Sequence, residues 1–288
     1  MAKNVLHRIE SSMGSFSKGQ KRIAGYILEN YDKAAFMTAS KLGKLVDVSE
    51  STVVRFASQL GYEGYPSMQR ALQEMVRSRL TSTQRIQAAD NLFDRQDVLG
   101  TVLQSDIEKL REMVGQADRA EFDSVVERIM QAKHIYILGV RSSSFVAGYL
   151  NFYMHLLFEN VTLVQSNAAG EIFEQLFRVG PGDVMIAISF PRYSRVAINT
   201  AKFARDRGAS IIAVTDNEHS PVYQLADAAL LAPCEMISFV DSMVAPLSVL
   251  NALLVALAYR METDVSTTFG ELERIWNEYG VFGKMDEE

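Results

Sequence analysis

Two short stretches rich in serine hold the side chains best suited to binding an anion. The first stretch, Gly-Val-Arg-Ser-Ser-Ser, contributes Gly139, Arg141, Ser142, Ser143 and Ser144. Backbone N–H groups at a helix N-terminus favour negative charge, hydroxyls donate hydrogen bonds, and a guanidinium is a permanent cation. One serine after a strand is an ordinary helix cap, but three after an arginine are more than a cap requires. This stretch therefore predicts a site for an anionic ligand.

The second stretch, Ser-Phe-Pro-Arg-Tyr-Ser, opens another predicted helix and contributes Ser189, Arg192, Tyr193 and Ser194. Its guanidinium can make paired hydrogen bonds to a phosphate or a carboxylate. For Arg192 a surface salt bridge at the helix start is an equal alternative, and for Tyr193 the equal alternative is a packing role. If the two stretches converge, they form one anion-binding pocket.

Short apolar runs that alternate with helical segments would position both stretches. The runs are rich in Val, Ile and Leu, which is typical of strands buried on both faces of a parallel sheet. We predict five strands, near residues 135–138, 161–164, 184–188, 211–214 and 229–231, with helices that include 144–158 and 195–207. In such sheets ligands bind beyond the carboxyl ends of the strands, where both stretches fall. The predicted fold is an α/β domain in which helices flank the five-stranded parallel sheet as a three-layer sandwich.

The charge of the chain is unevenly distributed. Residues 1–80 hold 12 Lys and Arg against 7 Asp and Glu, a net charge of +5, whereas the remaining residues hold 17 against 28, a net charge of −11. The whole chain therefore has a net charge of −6. Because a local field steers association, we expect only the N-terminal part to meet a polyanion.

Composition argues against several other kinds of site. The single cysteine, Cys234, rules out an intramolecular disulfide, and four scattered histidines offer no metal-ligand spacing, so we predict neither a metal nor a cofactor. A dinucleotide site is not indicated, since Arg141 stands where the second glycine of its fingerprint would be. No apolar run is long enough to span a membrane, and the N-terminus lacks the apolar core of a signal peptide. We therefore expect a cytoplasmic protein with no membrane partner.

The spacing of apolar and small residues in the basic part indicates a helix-turn-helix, and hence an all-α N-terminal domain. Ser17 and Gln20 form a capping box for one helix, and further helices are predicted to begin near Thr38 and Ser49. The residues that fit the motif are Leu42, Gly43, Val46, Asp47, Val48, Ser49, Val53 and Phe56. The glycine would let two helices approach closely, and the aspartate occupies a turn position that is usually glycine.

Helical geometry leaves a polar face on the third of these helices once Val53 and Phe56 are buried. The candidates for contacts to DNA bases are Ser49, Ser51, Thr52, Arg55, Ser58 and Gln59, with Glu50 also facing outward. The candidates for phosphate contacts are Lys18, Lys21, Arg22, Lys41 and Lys44. The alternative is the solvated surface of a small helical domain. Because motif and charge agree independently, the predicted partner is double-stranded operator DNA.

Residues 49–56, Ser-Glu-Ser-Thr-Val-Val-Arg-Phe, followed by residues 60–65, Leu-Gly-Tyr-Glu-Gly-Tyr, resemble the signature of the MurR/RpiR family of bacterial transcriptional regulators. The resemblance covers nearly the whole chain. It implies that a helix-turn-helix domain is joined to a sugar isomerase (SIS) domain that senses phosphorylated sugars.

The second serine stretch resembles the phosphosugar loop of SIS domains, with two departures. Ser189 and Ser194 match the hydroxyl positions, but Pro191 replaces a usual serine and Arg192 a usual glycine. One backbone N–H and one hydroxyl are lost, and a guanidinium is gained. Arg141 also replaces a glycine, so the pocket is more cationic than the family pattern. We therefore hypothesise a ligand with a carboxylate or with two acidic groups.

A phosphosugar isomerase with an accessory helical domain is the alternative function. Isomerisation needs positioned acid and base groups, commonly Glu and His. Glu171, after the second predicted strand, and His219 are the candidates near the pocket, although Glu171 is also explained as a favourable partner of a helix dipole. Because these residues form no convincing acid–base pair, we predict that the chain has no catalytic residues. Glu171 is instead predicted to border the ligand.

The predicted domains are a helix-turn-helix domain at residues 1–80, linker and dimerisation helices at 81–120, and a SIS-like ligand-binding domain at 121–288. The first boundary lies in residues 81–91, which are polar and carry no periodic pattern. The apolar segment 240–258 is too hydrophobic for a solvated helix, which favours a homodimer or a tetramer. We predict a regulator whose DNA affinity is controlled by an anionic metabolite, either a phosphosugar or a sugar acid.

Overall fold

The computed structural model describes residues 5–77, 81–89, 97–165, 169–234 and 236–282. The chain separates into two compact units. The helical unit comprises Met1–Thr101 with Met236–Asp241, and the sheet unit comprises Val102–Glu235 with Ser242–Glu288. Each unit has a hydrophobic core of its own. The domain boundaries after residues 80 and 120 remain predictions.

Within the described residues, seven helices lie wholly in the helical unit. They are α1 (Val5–Ser12), α2 (Lys18–Glu29), α3 (Tyr31–Ala34), α4 (Ala39–Leu45), α5 (Glu50–Gln59), α6 (Tyr65–Arg77) and α7 (Ser82–Ala89). The side chains of Ser17, Thr38 and Ser49 accept hydrogen bonds from first-turn backbone N–H groups, which sets where α2, α4 and α5 begin. Phe56 is fully buried, and its ring centroid lies 5.0 Å from that of Phe16. The predicted capping box and helix starts are confirmed.

The turn between α4 and α5 depends on two residues with special backbone requirements. A Cβ atom on Gly43 would lie 2.8 Å from the carbonyl oxygen of Val48, so only glycine allows this approach. Asp47 has a φ of +52°, the left-handed conformation that aspartate tolerates better than most residues. Val53 and Phe56 are fully buried, as the helix-turn-helix pattern predicts.

The sheet unit contains a parallel sheet. Its strands are β1 (Ile135–Gly139), β2 (Val161–Val164), β3 (Val184–Ile188), β4 (Ser210–Thr215) and β5 (Ala228–Leu231), in the order β2-β1-β3-β4-β5 with every neighbouring pair parallel. The remaining helices are α8 (Val98–Gln116), α9 (Arg119–Met130), α10 (Ser143–Leu157), α11 (Ala169–Gln175), α12 (Arg195–Asp206), α13 (Val244–Arg260) and α14 (Glu262–Tyr279). The five predicted strands are therefore confirmed, with ends shifted by at most one residue.

Helices cover both faces of the sheet. In β1, Ile135 and Ile137 belong to the core formed with α9, α10 and α13, whereas Tyr136 and Leu138 belong to the core formed with α11 and α12. Successive side chains of a strand point to opposite faces, so a run of apolar residues serves both cores. The predicted three-layer α/β architecture is confirmed.

The structure contains a helix, α7, where the sequence predicts no periodic element. Thr81 and Gln84 cap its start reciprocally, through N–H donors 2.9 and 3.3 Å from the side-chain acceptors. Among the side chains of α7 whose burial is described, that of Arg85 is buried, and it donates two hydrogen bonds to the carboxylate of Asp241, at 2.7 and 3.1 Å. A helix held by an ion pair has no apolar periodicity to detect.

Two other helices differ from the sequence predictions. Helix α1, which packs through Val5 and Ile9, is not predicted at all. Helix α13 begins at Val244 and not near residue 240, since Asp241 just before it pairs with Arg85. Helix α14 begins at Glu262, with one residue between it and the end of α13. Among the described helices, none is long and apolar enough to cross a membrane.

The close approach at Gly43 predicts a stability change. Gly43→Ala places a Cβ against backbone that cannot move aside, so the free energy of unfolding of the helical unit should fall by about 1–3 kcal/mol. Gly25→Ala in α2 is the matched control, because its Cβ would meet nothing within 4 Å, and it should be neutral or stabilising by up to about 1 kcal/mol. Thermal unfolding followed by circular dichroism measures both. Equal shifts for the two variants would contradict the packing argument.

Candidate functional site

The strand order brings the two serine stretches to the same point of the sheet. Strand β1 lies between β2 and β3, so the chain leaves it in one direction along the sheet and later continues in the other. Ligands of open parallel sheets bind at such a switch, beyond the carboxyl ends of the strands. Gly139 and Ile188 are register partners at these ends. The two stretches therefore leave the sheet from neighbouring strands, about 5 Å apart.

The first stretch is built on a glycine. A Cβ on Gly139 would lie 2.4 Å from the carbonyl oxygen of Ser143 and 2.8 Å from the Cβ of Ala147, so a larger residue would push α10 away from β1. Arg141 follows with a φ of +57° and an exposed side chain. The helix consequently begins directly over the end of the strand, with its first N–H groups near the crevice.

The three serines of this stretch are not equivalent. Ser143 is buried, whereas Ser142 is exposed, and in the described structure the Ser142 side chain makes no capping hydrogen bond to α10. The hydroxyl of Ser144 donates to the carbonyl oxygen of Arg141 at 2.6 Å. In this arrangement the Ser144 proton closes the turn, and the Ser144 oxygen keeps its lone pairs as acceptors.

The second stretch is fixed to β4. Ser189 is buried, its N–H donates to the carbonyl oxygen of Val214 at 3.0 Å, and its own carbonyl accepts from the Thr215 hydroxyl at 2.7 Å. Ser194 caps α12 by accepting a hydrogen bond from the N–H of Val196. Between these anchors Arg192 has a φ of +67° and an exposed side chain.

Arg141 and Arg192 share a backbone feature that glycine usually supplies. Among the described residues, Arg141, Arg192 and Asp47 are the non-glycine residues with positive φ. Such conformations cost about 1–3 kcal/mol for other residue types and persist where the surroundings enforce them. The loops thus keep a glycine-like backbone while presenting two guanidiniums at neighbouring strand ends, which raises the positive potential there.

Tyr193 has a partner that the sequence analysis does not anticipate. Its hydroxyl donates to the carboxylate of Asp216 at 2.9 Å, and the Asn217 amide donates to the same carboxylate at 2.7 Å. Burial raises the pKa of the Asp216 carboxyl, and hydrogen bonds from Tyr193, Thr215 and Asn217 offset part of that rise. These contacts hold the second stretch against the end of β4. In the sequence, the feature that points to this contact is the polar run Thr-Asp-Asn at the end of the fourth strand.

The candidate acid and base residues lie on different elements, Glu171 on α11 and His219 on the loop after β4. Glu171 is exposed in the first turn of α11, the helix that follows β2. His219 is exposed, and its N–H donates to the Asn217 side chain at 2.8 Å. A search of the described residues finds no group of three His, Cys, Asp or Glu side chains that could hold a metal ion.

Helix α5 presents the predicted polar face. Its exposed side chains are Glu50, Ser51, Val54, Arg55, Ser58 and Gln59, and Thr52 is half-buried. Ser49 caps α5, since its hydroxyl accepts from the N–H of Thr52, and its side chain remains exposed at the start of the helix. Arg55 donates to the carbonyl oxygen of Ser51, and the Gln59 side chain accepts from Gln20.

The predicted phosphate-contacting residues are all exposed. Lys18, Lys21, Lys41 and Lys44 lie on α2 and α4. Arg22 pairs with the turn residue Asp47, donating to its carboxylate at 3.0 Å and to its carbonyl oxygen at 2.6 Å. Arg22 therefore braces the turn in this structure.

Two family models match the chain. Residues 3–79 match the helix-turn-helix domain of the rpiR family, and residues 128–256 match the SIS domain. An uncharacterized HTH-type transcriptional regulator from Haemophilus influenzae is 29% identical over 238 residues, 79% of each chain. A second, from Clostridium perfringens, is 26% identical over 229 residues, 77% of this chain and 79% of the relative.

Two solved structures are similar to the chain. The sugar isomerase domain of an RpiR transcription factor from Sphaerobacter thermophilus has a TM-score of 0.59 and 28% identity, and the match covers 62% of this chain and 99% of that one. NanR from Vibrio vulnificus, complexed with ManNAc-6P, has a TM-score of 0.59 and 26% identity, with 98% and 100% covered.

The Tyr193 hydrogen bond predicts a pH-dependent stability loss. Tyr193→Phe removes a donor to a buried carboxylate and should lower the free energy of unfolding at neutral pH by about 1–2 kcal/mol. The pKa of Asp216 rises further, so the folded state binds its proton more readily than the unfolded state. The loss should therefore shrink as the pH falls toward the ordinary aspartate pKa, below which both states are protonated.

Thermal unfolding across a pH series measures this effect. Tyr223→Phe is the control, because Tyr223 is half-buried beside β4 and its pKa, raised by burial, involves no hydrogen bond to a carboxylate. A pH-independent loss for Tyr193→Phe, or an equal loss for both variants, would contradict the role assigned to the hydroxyl.

Proposed function

We propose how this chain, which joins a helix-turn-helix domain of the rpiR family to a SIS domain, works as a metabolite-sensing transcriptional regulator. It reads operator DNA through α5, and a phosphorylated sugar or sugar acid bound beyond β1 and β3 changes its DNA affinity. The observation that carries the proposal is the register pairing of Gly139 with Ile188, which brings both anion-binding stretches to one crevice. Because relatives across the chain are named transcriptional regulators, the SIS domain serves as a ligand-binding domain and not as an isomerase.

The proposed ligand site uses both stretches. Support comes from the relative from Vibrio vulnificus, which is complexed with ManNAc-6P and matches nearly the whole chain. Hydroxyls and helix N–H groups bind one acidic group, and the two guanidiniums bind a second, which favours a ligand bearing both a phosphate and a carboxylate. The proposed residues are Gly139, Arg141, Ser142, Ser143, Ser144, Ser189, Arg192, Tyr193 and Ser194, with Glu171 at the border.

The proposed DNA interface is the exposed face of α5 with the basic residues around it. Base edges are contacted by Ser49, Ser51, Thr52, Arg55, Ser58 and Gln59, and phosphates by Lys18, Arg22, Lys41 and Lys44. Arg55 is the side chain with the reach and donor geometry to read a guanine. Arg22 exchanges its pairing with Asp47 for a phosphate oxygen when DNA binds.

Regulation requires two arrangements with different ligand affinities. In a homodimer, or a tetramer of two such dimers, two reading heads bind half-sites about 34 Å apart, so a small change in their spacing alters DNA affinity. For joining two such dimers into a tetramer, the sheet unit offers an apolar groove of about 370 Å³ between α10, α13 and α14, which Tyr153, Leu254 and Phe269 help to line. Because the proposed partner is bacterial operator DNA, the proposed location of the protein is the cytoplasm.

Two substitutions in the helical unit separate base reading from phosphate binding. Arg55→Ala should weaken binding to the best duplex selected from a random pool by about 1–3 kcal/mol and leave binding to random duplex nearly unchanged. Lys41→Ala should weaken both equally and reduce the slope of log affinity against log salt by about one. Fluorescence anisotropy at several salt concentrations measures both. Equal losses on selected and random DNA for Arg55→Ala would refute its assignment.

Replacing either arginine with glycine tests the ligand site. Arg141→Gly and Arg192→Gly relieve the positive φ, so thermal stability without ligand should stay level or rise, by about 1 kcal/mol. The same variants should lose the thermal stabilisation that 6-phosphogluconate, which bears a phosphate and a carboxylate, gives the wild type. Arg195→Ala, an exposed arginine on α12 outside the proposed site, is the control. The proposal of a ligand with two acidic groups would be contradicted if glucose 6-phosphate and 6-phosphogluconate stabilised the protein equally and neither Arg141→Gly nor Arg192→Gly changed that stabilisation.

A further inference from the structure

Helix α8 exposes an apolar stripe to water. All 19 residues of α8 are described, and none of them is buried. The exposed fraction is 53% for Leu103, 42% for Ile107 and 75% for Val114. A helix of this length gains most of its stability from packing an apolar face, so a solvated stripe indicates a partner.

The spacing of the stripe specifies the kind of partner. Leu103, Ile107, Leu110 and Val114 are separated by four, three and four residues, which is the a/d spacing of a coiled-coil heptad. The leucines fall at d and the β-branched residues at a. This distribution favours a parallel, two-stranded pair of helices over larger bundles.

Charges beside the stripe agree with a parallel pair. Asp106 occupies a g position and Arg111 the following e position, five residues later, and these positions face each other across a parallel two-stranded seam. An antiparallel pair instead sets g positions against g positions, so Asp106 would not face Arg111. One carboxylate oxygen of Asp106 accepts from the Ser242 hydroxyl at 2.5 Å, which holds the side chain in place and leaves the second oxygen for the partner's arginine.

We propose that α8 pairs with α8 of a second copy of this chain, parallel and in register. The inference rests on the dimer of the proposed function and names the element that holds it. Because the helix-turn-helix precedes α8 in the chain, a parallel pair brings both copies of that segment toward the same end of the seam. The division between the two units falls within α8, after Thr101, so the paired helix also connects the ligand-binding and DNA-reading parts.

Cysteine cross-linking of the full chain tests the seam. Val114→Cys places a thiol at an a position, where a parallel pair in register sets it against its own copy, whereas an antiparallel pair centred on Ile107 separates the two thiols by about 20 Å. Glu108→Cys, exposed on the outer face of the same helix, is the matched control, and the native Cys234 is buried. Under mild oxidation at micromolar protein, Val114→Cys should form at least ten times more disulfide-linked dimer than Glu108→Cys.

Analytical ultracentrifugation distinguishes an error in the proposed α8 pairing from an error in the proposed function. Leu103→Glu with Leu110→Glu should shift the protein from dimer to monomer while helical content by circular dichroism is kept. Wild-type protein that sediments as a dimer, with no excess cross-linking of Val114→Cys, would overturn the α8 seam and leave the proposed function intact. Wild-type protein that is a monomer, even on DNA, would overturn the seam and the proposed dimer together.

Discussion

The parallel pairing of β1 with β3 is the constraint on which the rest of the molecule depends. It forces the chain to reverse its direction of travel across the sheet, which opens a crevice at the carboxyl ends of these two strands. Gly139 then lets α10 start against the end of β1, and Thr215 ties Ser189 to the end of β4. The positions of the proposed anion-binding groups are therefore consequences of backbone hydrogen bonding in the sheet.

Local patterns predict much of this architecture. Buried runs of Val, Ile and Leu identify the five strands, and capping residues with Gly43 identify the helix-turn-helix, because each signal is contained within a few residues. The polar contacts are different. Arg85 pairs with Asp241 and Tyr193 with Asp216 across long separations in sequence, and such pairs leave no periodic trace. The sequence therefore identifies the loops of the candidate site, whereas the way those loops are held requires the three-dimensional structure.

Backbone strain bears on why arginine occupies positions 141 and 192. At positions where glycine would be relaxed, Arg141 and Arg192 hold left-handed conformations on loops from neighbouring strands. A residue kept at a conformational cost is expected where its side chain contributes something else, and here that contribution is positive charge. The same logic applies to α8, whose solvated apolar stripe is unfavourable in one chain and favourable between two.

Control of DNA affinity by an acidic metabolite at the ends of β1 and β3 is the proposal on which the function depends. The direct measurement is the dissociation constant for a selected operator duplex, with and without saturating 6-phosphogluconate, in wild type and in the Arg141→Gly, Arg192→Gly double variant. We expect a change of about 5- to 150-fold in wild type. In the double variant we expect an unchanged DNA affinity without ligand and no response to the ligand. An equal response in both proteins would contradict the proposal.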